Sequence, residues 1–243
     1  MSLDNDINTK KRKLQDDEKP RKKRKHKRPT RDDDADLDVE AGLNRAFARM
    51  DGQLLADHLA QKTRRFGTEL SSVELNDLDS SSFEKDRTLE NLPSFLEKFA
   101  QEKEKLDEAP KKNGSPHTLI VAAAGLRAAD LVRACRKFQK KGSPVAKLFA
   151  KHFKLEEQVA FLNKTRTGIA VGTPQRLIDL IEHGALSVEN LRRIVVDASH
   201  IDQKKRNITD MRETMMPLAK LLARADFKER YTDEKKHIDL LFY

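Results

Sequence analysis

The chain has 243 residues and a formal net charge of +9, with 37 % charged and 37 % hydrophobic residues and a mean hydropathy of −0.76. That length holds one ordinary domain plus extensions, and that polarity predicts that part of the chain lies outside any packed core. The single cysteine, Cys135, excludes an internal disulfide framework and a cysteine-rich zinc site, no apolar run approaches the roughly 18 residues of a membrane span, and the N-terminus lacks the apolar core of a secretory signal. A reducing interior compartment is expected.

The basicity belongs to one end. Residues 1–31 hold thirteen Lys/Arg against five Asp/Glu, and the rest of the chain holds 36 against 35. Lys19, Arg21, Lys22, Lys23, Arg24, Lys25, Lys27 and Arg28 form the densest block. Mutual repulsion and the lack of apolar anchors predict that residues 1–40 are a charged, disordered tail. Such a block suits recognition by an import receptor or contact with a phosphate backbone, so a nuclear or nucleolar address is expected. An acidic patch, Asp32 through Glu40, follows at once.

Residues 41–116 read as a helical and extended docking segment. Over 41–66 the three- and four-residue steps of Leu43, Phe47, Met50 and Leu54 predict an amphipathic helix that Gly67 ends. No core surrounds it in the sequence, so it is expected to dock on another surface. Residues 68–92 are polar, and Ser80-Ser81-Ser82 argues for a loop. Pro93 is placed to open a short helix through Phe95, Leu96 and Phe99. Lys111 to Pro116 reads as a linker or tight connection.

From Thr118 the texture changes. Short apolar runs at Thr118–Ala122, Val145–Phe149, Gly168–Val171, Arg193–Val196 and Ile238–Phe242 predict strands. Helical spacing fills the intervals at Leu126–Phe138, Lys154–Asn163, Arg176–His183 and Met211–Ala223. Alternating strands and helices argue for an α/β domain over 117–243 with a parallel sheet flanked by helices. Ligands of such sheets sit beyond the carboxyl ends of the strands. Thr173, Asp197 and the Ala123–Arg127 loop fall there.

Two motifs stand out in that domain: Gly172-Thr173-Pro174-Gln175-Arg176 and, after an apolar run, Asp197-Ala198-Ser199-His200. Together with Leu177–Ile181, Gly184-Ala185-Leu186 and Leu191–Asp197 they make the domain similar to the first RecA-like lobe of DEAD-box RNA helicases. Gln175 stands where the Thr-Pro-Gly-Arg element has glycine, and Asp197-Ala198-Ser199-His200 stands in place of Asp-Glu-Ala-Asp. The resemblance implies a single RecA-like lobe whose Thr173 and Arg176 contact RNA, with Arg127 adding charge from the neighbouring loop. It does not extend to the chemistry. None of the nine glycines is followed by lysine, so the phosphate cradle of a P-loop is missing. Ala198 occupies the position of the second carboxylate and can neither orient water nor support a metal. The chain ends at Tyr243, where the Ser-Ala-Thr element and second lobe of the helicases would begin, so strand separation by that route is not expected.

The residues by themselves give blander readings. Thr173 and Pro174 are the usual cap and first position of a helix, Asp197 is a loop anchor at a strand end, and Cys135 is a core residue. The seven histidines are scattered, with no pair at metal spacing. No catalytic residue, cofactor or metal is expected. With two tyrosines and no tryptophan, any RNA contact should be backbone-driven and salt-sensitive.

A second resemblance spans most of the chain beyond the tail. Asn91-Leu92-Pro93-Ser94-Phe95-Leu96, Arg127-Ala128-Ala129-Asp130-Leu131-Val132-Arg133, Lys151-His152-Phe153-Lys154-Leu155 and Gly172-Thr173-Pro174 follow the basic tail in order. This pattern resembles the CMS-type subunits of the small-subunit processome, the U3-containing 90S pre-ribosome. It implies a nucleolar ribosome-assembly factor without helicase activity, a monomer within a large ribonucleoprotein particle. Its partners would be pre-ribosomal RNA, processome proteins and small nucleolar RNA, with no nucleotide and no membrane. A degenerate ATPase completed by a partner's residues and a free-standing nuclear RNA-binding adaptor are the alternatives.

Overall fold

Thr118-Leu119-Ile120-Val121 forms the middle strand of the domain, apolar on both faces because both faces are covered. In the computed structural model, which describes residues 35–66, 80–100, 105–150 and 153–243, this strand, β3 (Thr118–Val121), is flanked by four others. They are β4 (Ala146–Leu148), β5 (Ile169–Gly172), β6 (Arg193–Val196) and β7 (Asp239–Phe242). The order is β4-β5-β3-β6-β7 and every pair is parallel. A parallel neighbour requires a crossover, and helices supply it: α3 (Gly125–Ala134), α4 (Leu155–Lys164), α5 (Pro174–Glu182) and α6 (Arg212–Leu222), with a short α7 (Ala225–Lys228). The expected α/β lobe, a parallel sheet flanked by helices, is the fold observed.

Alternation along the strands sorts side chains into two cores. Leu119, Val121, Ile194, Val196, Leu240 and Phe242 pack with Leu177 and Ile178 of α5 and Met215, Leu218 and Leu222 of α6. Ile120, Val195 and Leu241 pack with Ala128, Leu131 and Val132 of α3 and with Cys135. Burial pushes the Cys135 thiol up to about 12, so it is an inert core residue.

The N-terminal segment joins both cores. A two-residue hairpin, β1 (Leu37–Asp38) with β2 (Leu43–Asn44), precedes a 3-10 turn over Arg45–Ala48. Helix α1 (Gly52–Arg65) starts only after Asp51, whose carboxylate accepts from the Leu54 N–H at 2.8 Å. The single helix expected over 41–66 is therefore two pieces. Asn44 and Asp51 each offer a side-chain cap that competes with a continuous helix. The break rotates the apolar face: Leu55 and Leu59 are buried, whereas Leu54 is exposed. Phe47, Leu55 and Leu59 enter the core beneath α6. Helix α2 (Leu92–Lys98) has proline in its first turn, as its sequence predicts, and drives Leu92, Phe95 and Leu96 into the core beside α3. The described residues belong to one compact unit. Of the tail expected over 1–40, residues 1–34 lie outside the described residues, as do 67–79, 101–104 and 151–152, while Leu37–Asp38 form β1.

The Lys111–Pro116 connection is packed rather than loose. Gly114 has a positive φ of 59°, and a β-carbon there would lie 2.3 Å from the Ala185 carbonyl oxygen. Only glycine fits both demands.

Candidate functional site

The carboxyl ends of β3 and β6 meet at Asp197. Its backbone N–H donates to the Val121 carbonyl at 2.9 Å. Its carboxylate accepts two bonds from the Arg127 guanidinium, Nε to Oδ2 at 2.8 Å and Nη2 to Oδ1 at 3.0 Å. Asp197 is 1 % exposed. Arg127 was expected in a loop; it sits instead in the first turn of α3, because the helix opens at Gly125, and its fork points inward. Burial opposes the charge on Arg127, but the Asp197 carboxylate outweighs it and holds the guanidinium above its ordinary value. The pair is bidentate and buried, the geometry that makes an arginine–carboxylate contact strong. Ala198 is completely buried and, like Ser199, donates its backbone N–H to the Tyr243 carbonyl, at 2.7 and 2.8 Å. His200 lies at the rim, bridged to Leu43, and burial and then Arg127 lower its pKa.

The Thr173–Arg176 turn lies at the end of β5. Thr173 has the extended backbone of a helix cap, with Pro174 in the first turn, but its side chain makes no capping bond. The expected hydroxyl cap is therefore a cap by backbone conformation only, with Pro174 pre-setting the first turn. Gly172 is required there: a β-carbon would stand 2.5 Å from the Leu148 carbonyl oxygen and 2.7 Å from Leu177 Cδ2. Arg176 reaches sideways. Its Nη1 donates to Gln158 Oε1 at 2.7 Å and to the Phe153 carbonyl at 3.3 Å. Gln158 in turn donates to the carbonyls of Lys147 and Phe149, at 2.9 and 3.0 Å. Among the described residues no hydrogen bond joins this turn to the Arg127–Asp197 pair. Sequence reading missed Gln158. Its place on the inward face of α4, among Leu155, Val159 and Leu162, was the available signal.

A second feature lies at the amino end of the sheet, opposite both motifs. Residues near 105–117, 166, 189–192 and 230–237 line a cleft of about 1010 Å³. Eight Lys/Arg side chains against three glutamates border it. Lys105, Lys111, Lys112, Arg166, Lys235 and Lys236 are exposed there. Lys112 pairs with Glu189 at 2.7 Å, and Arg230 is half-buried and spends its fork on the Val188 and Lys236 carbonyls. The cations come from four separate stretches, each unremarkable in sequence, so only the fold gathers them. The tail cations from Lys19 to Arg28 lie outside the described residues.

The profile of a family described as U3-containing 90S pre-ribosomal complex subunits, CMS1, matches residues 4–243. The chain belongs to the CMS1 family. Protein CMS1 of Chaetomium thermophilum is 97 % identical, with the whole of both chains aligned. Protein cms1 of Schizosaccharomyces pombe is 28 % identical over 76 % of this chain and 68 % of its own length. Human Protein CMSS1 is 33 % identical over 70 % of this chain and 59 % of its own length. Among solved structures, the yeast DEAD-box splicing factor Prp28 is 20 % identical, covering 57 % of this chain and 30 % of its own, with a TM-score of 0.43. The resemblance to CMS-type subunits drawn from the sequence is thus borne out, and membership ties this chain to the 90S pre-ribosome and ribosome biogenesis.

Proposed function

We propose that this CMS1-family protein is a non-catalytic scaffold of the early small-subunit particle, acting in the nucleolus by binding pre-ribosomal RNA and neighbouring proteins as a monomeric component. The carrying observation is the Arg127–Asp197 pair. The one carboxylate left of the acidic motif is enclosed and neutralised from within, and its neighbour is a buried alanine. Phosphoryl transfer needs a cradle for the phosphates, a held metal and an oriented water, and this arrangement offers a carboxylate to none of them. It favours a fixed corner of the lobe over a reacting one, and a fold by itself confers no chemistry.

The RNA part of the reading draws on two surfaces. Thr173, at the N-terminus of α5, keeps a hydroxyl that no helix cap uses, and Arg176 is half-buried beside it. The amino-end cleft supplies more exposed charge, and Lys/Arg side chains on several segments suit a phosphate backbone read without base stacking. Arg127 is reassigned from RNA contact to anchoring Asp197. The basic tail adds a further, sequence-independent contact, and several weak contacts on one chain reinforce one another.

Two measurements on the full chain test this. Calorimetric titration with ATP and magnesium is expected to show no saturable binding; binding at micromolar levels would overturn the non-catalytic assignment. Crosslinking followed by recovery of the tagged chain is expected to bring down pre-ribosomal RNA, and recovery of messenger RNA alone would overturn the assembly role.

A further inference from the structure

Four large apolar side chains stand exposed among the described residues, and two of them, Leu126 at 65 % and Phe153 at 37 %, line one groove. The groove, of about 1320 Å³, runs over the edge strand β4, with α3 and the residues around α4 as its walls. Val132, Phe149 and Phe161 continue its apolar floor, and Phe149 meets Phe153 edge-on at 5.9 Å between ring centres. Its rim is cationic. Arg133, Arg136, Lys140, Lys141 and Lys147 border it, with Glu157 the one acid in the lining. Arg133 pairs with Asp130 and Lys140 with Asp107, but Arg136, Lys141 and Lys147 hold no ion pair among the described residues.

We propose that this groove docks an acidic amphipathic helix from a partner protein. An apolar floor left open to water marks a protein contact more than a nucleic-acid one. A phosphate backbone gains nothing from Leu126, and Phe149 is buried, so no ladder of exposed rings exists for bases. The cationic rim fixes the sign of the partner's flanking charge. The edge strand fixes its shape. A partner strand would need outward carbonyls on β4, and Gln158 already takes those of Lys147 and Phe149. Strand addition is blocked, which leaves the helix-in-groove mode with apolar anchors at i, i+3/i+4 and i+7.

This inference rests on the reading of the chain as a binding scaffold, yet its test needs no particle. Anisotropy titrations of the purified full chain would use three labelled probes. One is a peptide of about 18 residues with a Leu/Phe stripe flanked by glutamates. The second keeps the stripe but has lysines at the flanks, and the third is an oligouridylate of similar length. The glutamate peptide is expected to bind saturably and at least about tenfold more tightly than the lysine peptide. Leu126→Glu or Phe153→Glu is expected to weaken it at least about tenfold, and Lys147→Glu to reduce its salt dependence. Leu54→Glu, on an exposed position of α1, is expected to leave it unchanged, and thermal unfolding checks that each variant folds. Absent binding, equal binding of the two peptides, insensitivity to Leu126 and Phe153, or displacement by oligouridylate would each overturn the proposal. A chain that recovers pre-ribosomal RNA but fails here loses only the groove; one that binds the acidic helix but recovers no pre-ribosomal RNA loses the assembly role instead.

Discussion

Asp197 and Arg127 share one enclosed site, and neither side chain is stable there alone. A buried ion pair adds little net stability over a well-packed apolar pair, but removing one partner strands the other charge away from water. Arg127→Met is therefore expected to cost about 3 to 5 kcal/mol. The double variant Arg127→Met with Asp197→Leu is expected to recover most of that loss. Urea unfolding of the three chains measures it. A loss under 1 kcal/mol in the single variant, or no recovery in the double, would show that the pair does not hold this corner. The contact was half legible. The acidic motif and its missing second carboxylate identify Asp197 as a loop anchor, but Arg127 lies 70 positions earlier and no spacing rule links the two.

At the scale of elements, the edges of the sheet are the exposed liability, since a strand edge offers unpaired carbonyls to any other chain. Both edges are closed by side chains. Arg87 is 2 % exposed; beside β7 its Nη1 donates to the carbonyls of Phe47 (3.1 Å) and Phe242, and its Nη2 to that of Ser80 at 2.8 Å. Beside β4, Gln158 does the same and is steadied by Arg176. Gln158→Ala is expected to destabilise the fold by about 1 to 3 kcal/mol, the cost of leaving buried carbonyls unpaired. It should also promote self-association, seen as a concentration-dependent increase in sedimentation coefficient. Unchanged stability and a monomeric profile would count against this edge-capping role. Such capping is invisible in sequence, where Arg87 and Gln158 read as ordinary polar positions.

At the scale of the whole molecule, the N-terminal segment holds the sheet from both sides, Phe47, Leu55 and Leu59 on one and Leu92, Phe95 and Leu96 on the other. Two histidines sit on this wrap. His58 bonds Thr209 Oγ1 at 3.1 Å and meets the Phe47 ring edge-on at 5.2 Å, and His200 bridges to Leu43. Burial lowers both below their ordinary value of 6.5; Lys62 adds to the effect at His58 and Arg127 at His200, while Asp210 and Asp197 partly oppose it. A lowered histidine means that the unfolded chain binds more protons, so stability is complete above pH 6.5 and falls as the pH drops below it. Urea unfolding from about pH 8 to about pH 5 should show that decline, and His58→Gln with His200→Gln should flatten it. An equally steep decline in the double variant would place the acid sensitivity elsewhere.

The sequence by itself determined the five strands and four longer helices of residues 118–243, though not the short α7, because short apolar runs and helical spacing are local signals that survive packing. It also determined the family, the concentration of basic residues in positions 1–31 and the absence of a Gly-Lys dipeptide. The continuous helix expected over 41–66 failed because two local caps, at Asn44 and Asp51, outweighed the apolar period. Only the tertiary structure decided which face of the N-terminal segment is buried, where Arg127 spends its charge, and that cations from four stretches share one cleft while Leu126 and Phe153 share one groove. Those outcomes depend on contacts between residues tens of positions apart, and their free energy exists only once the sheet has brought them together.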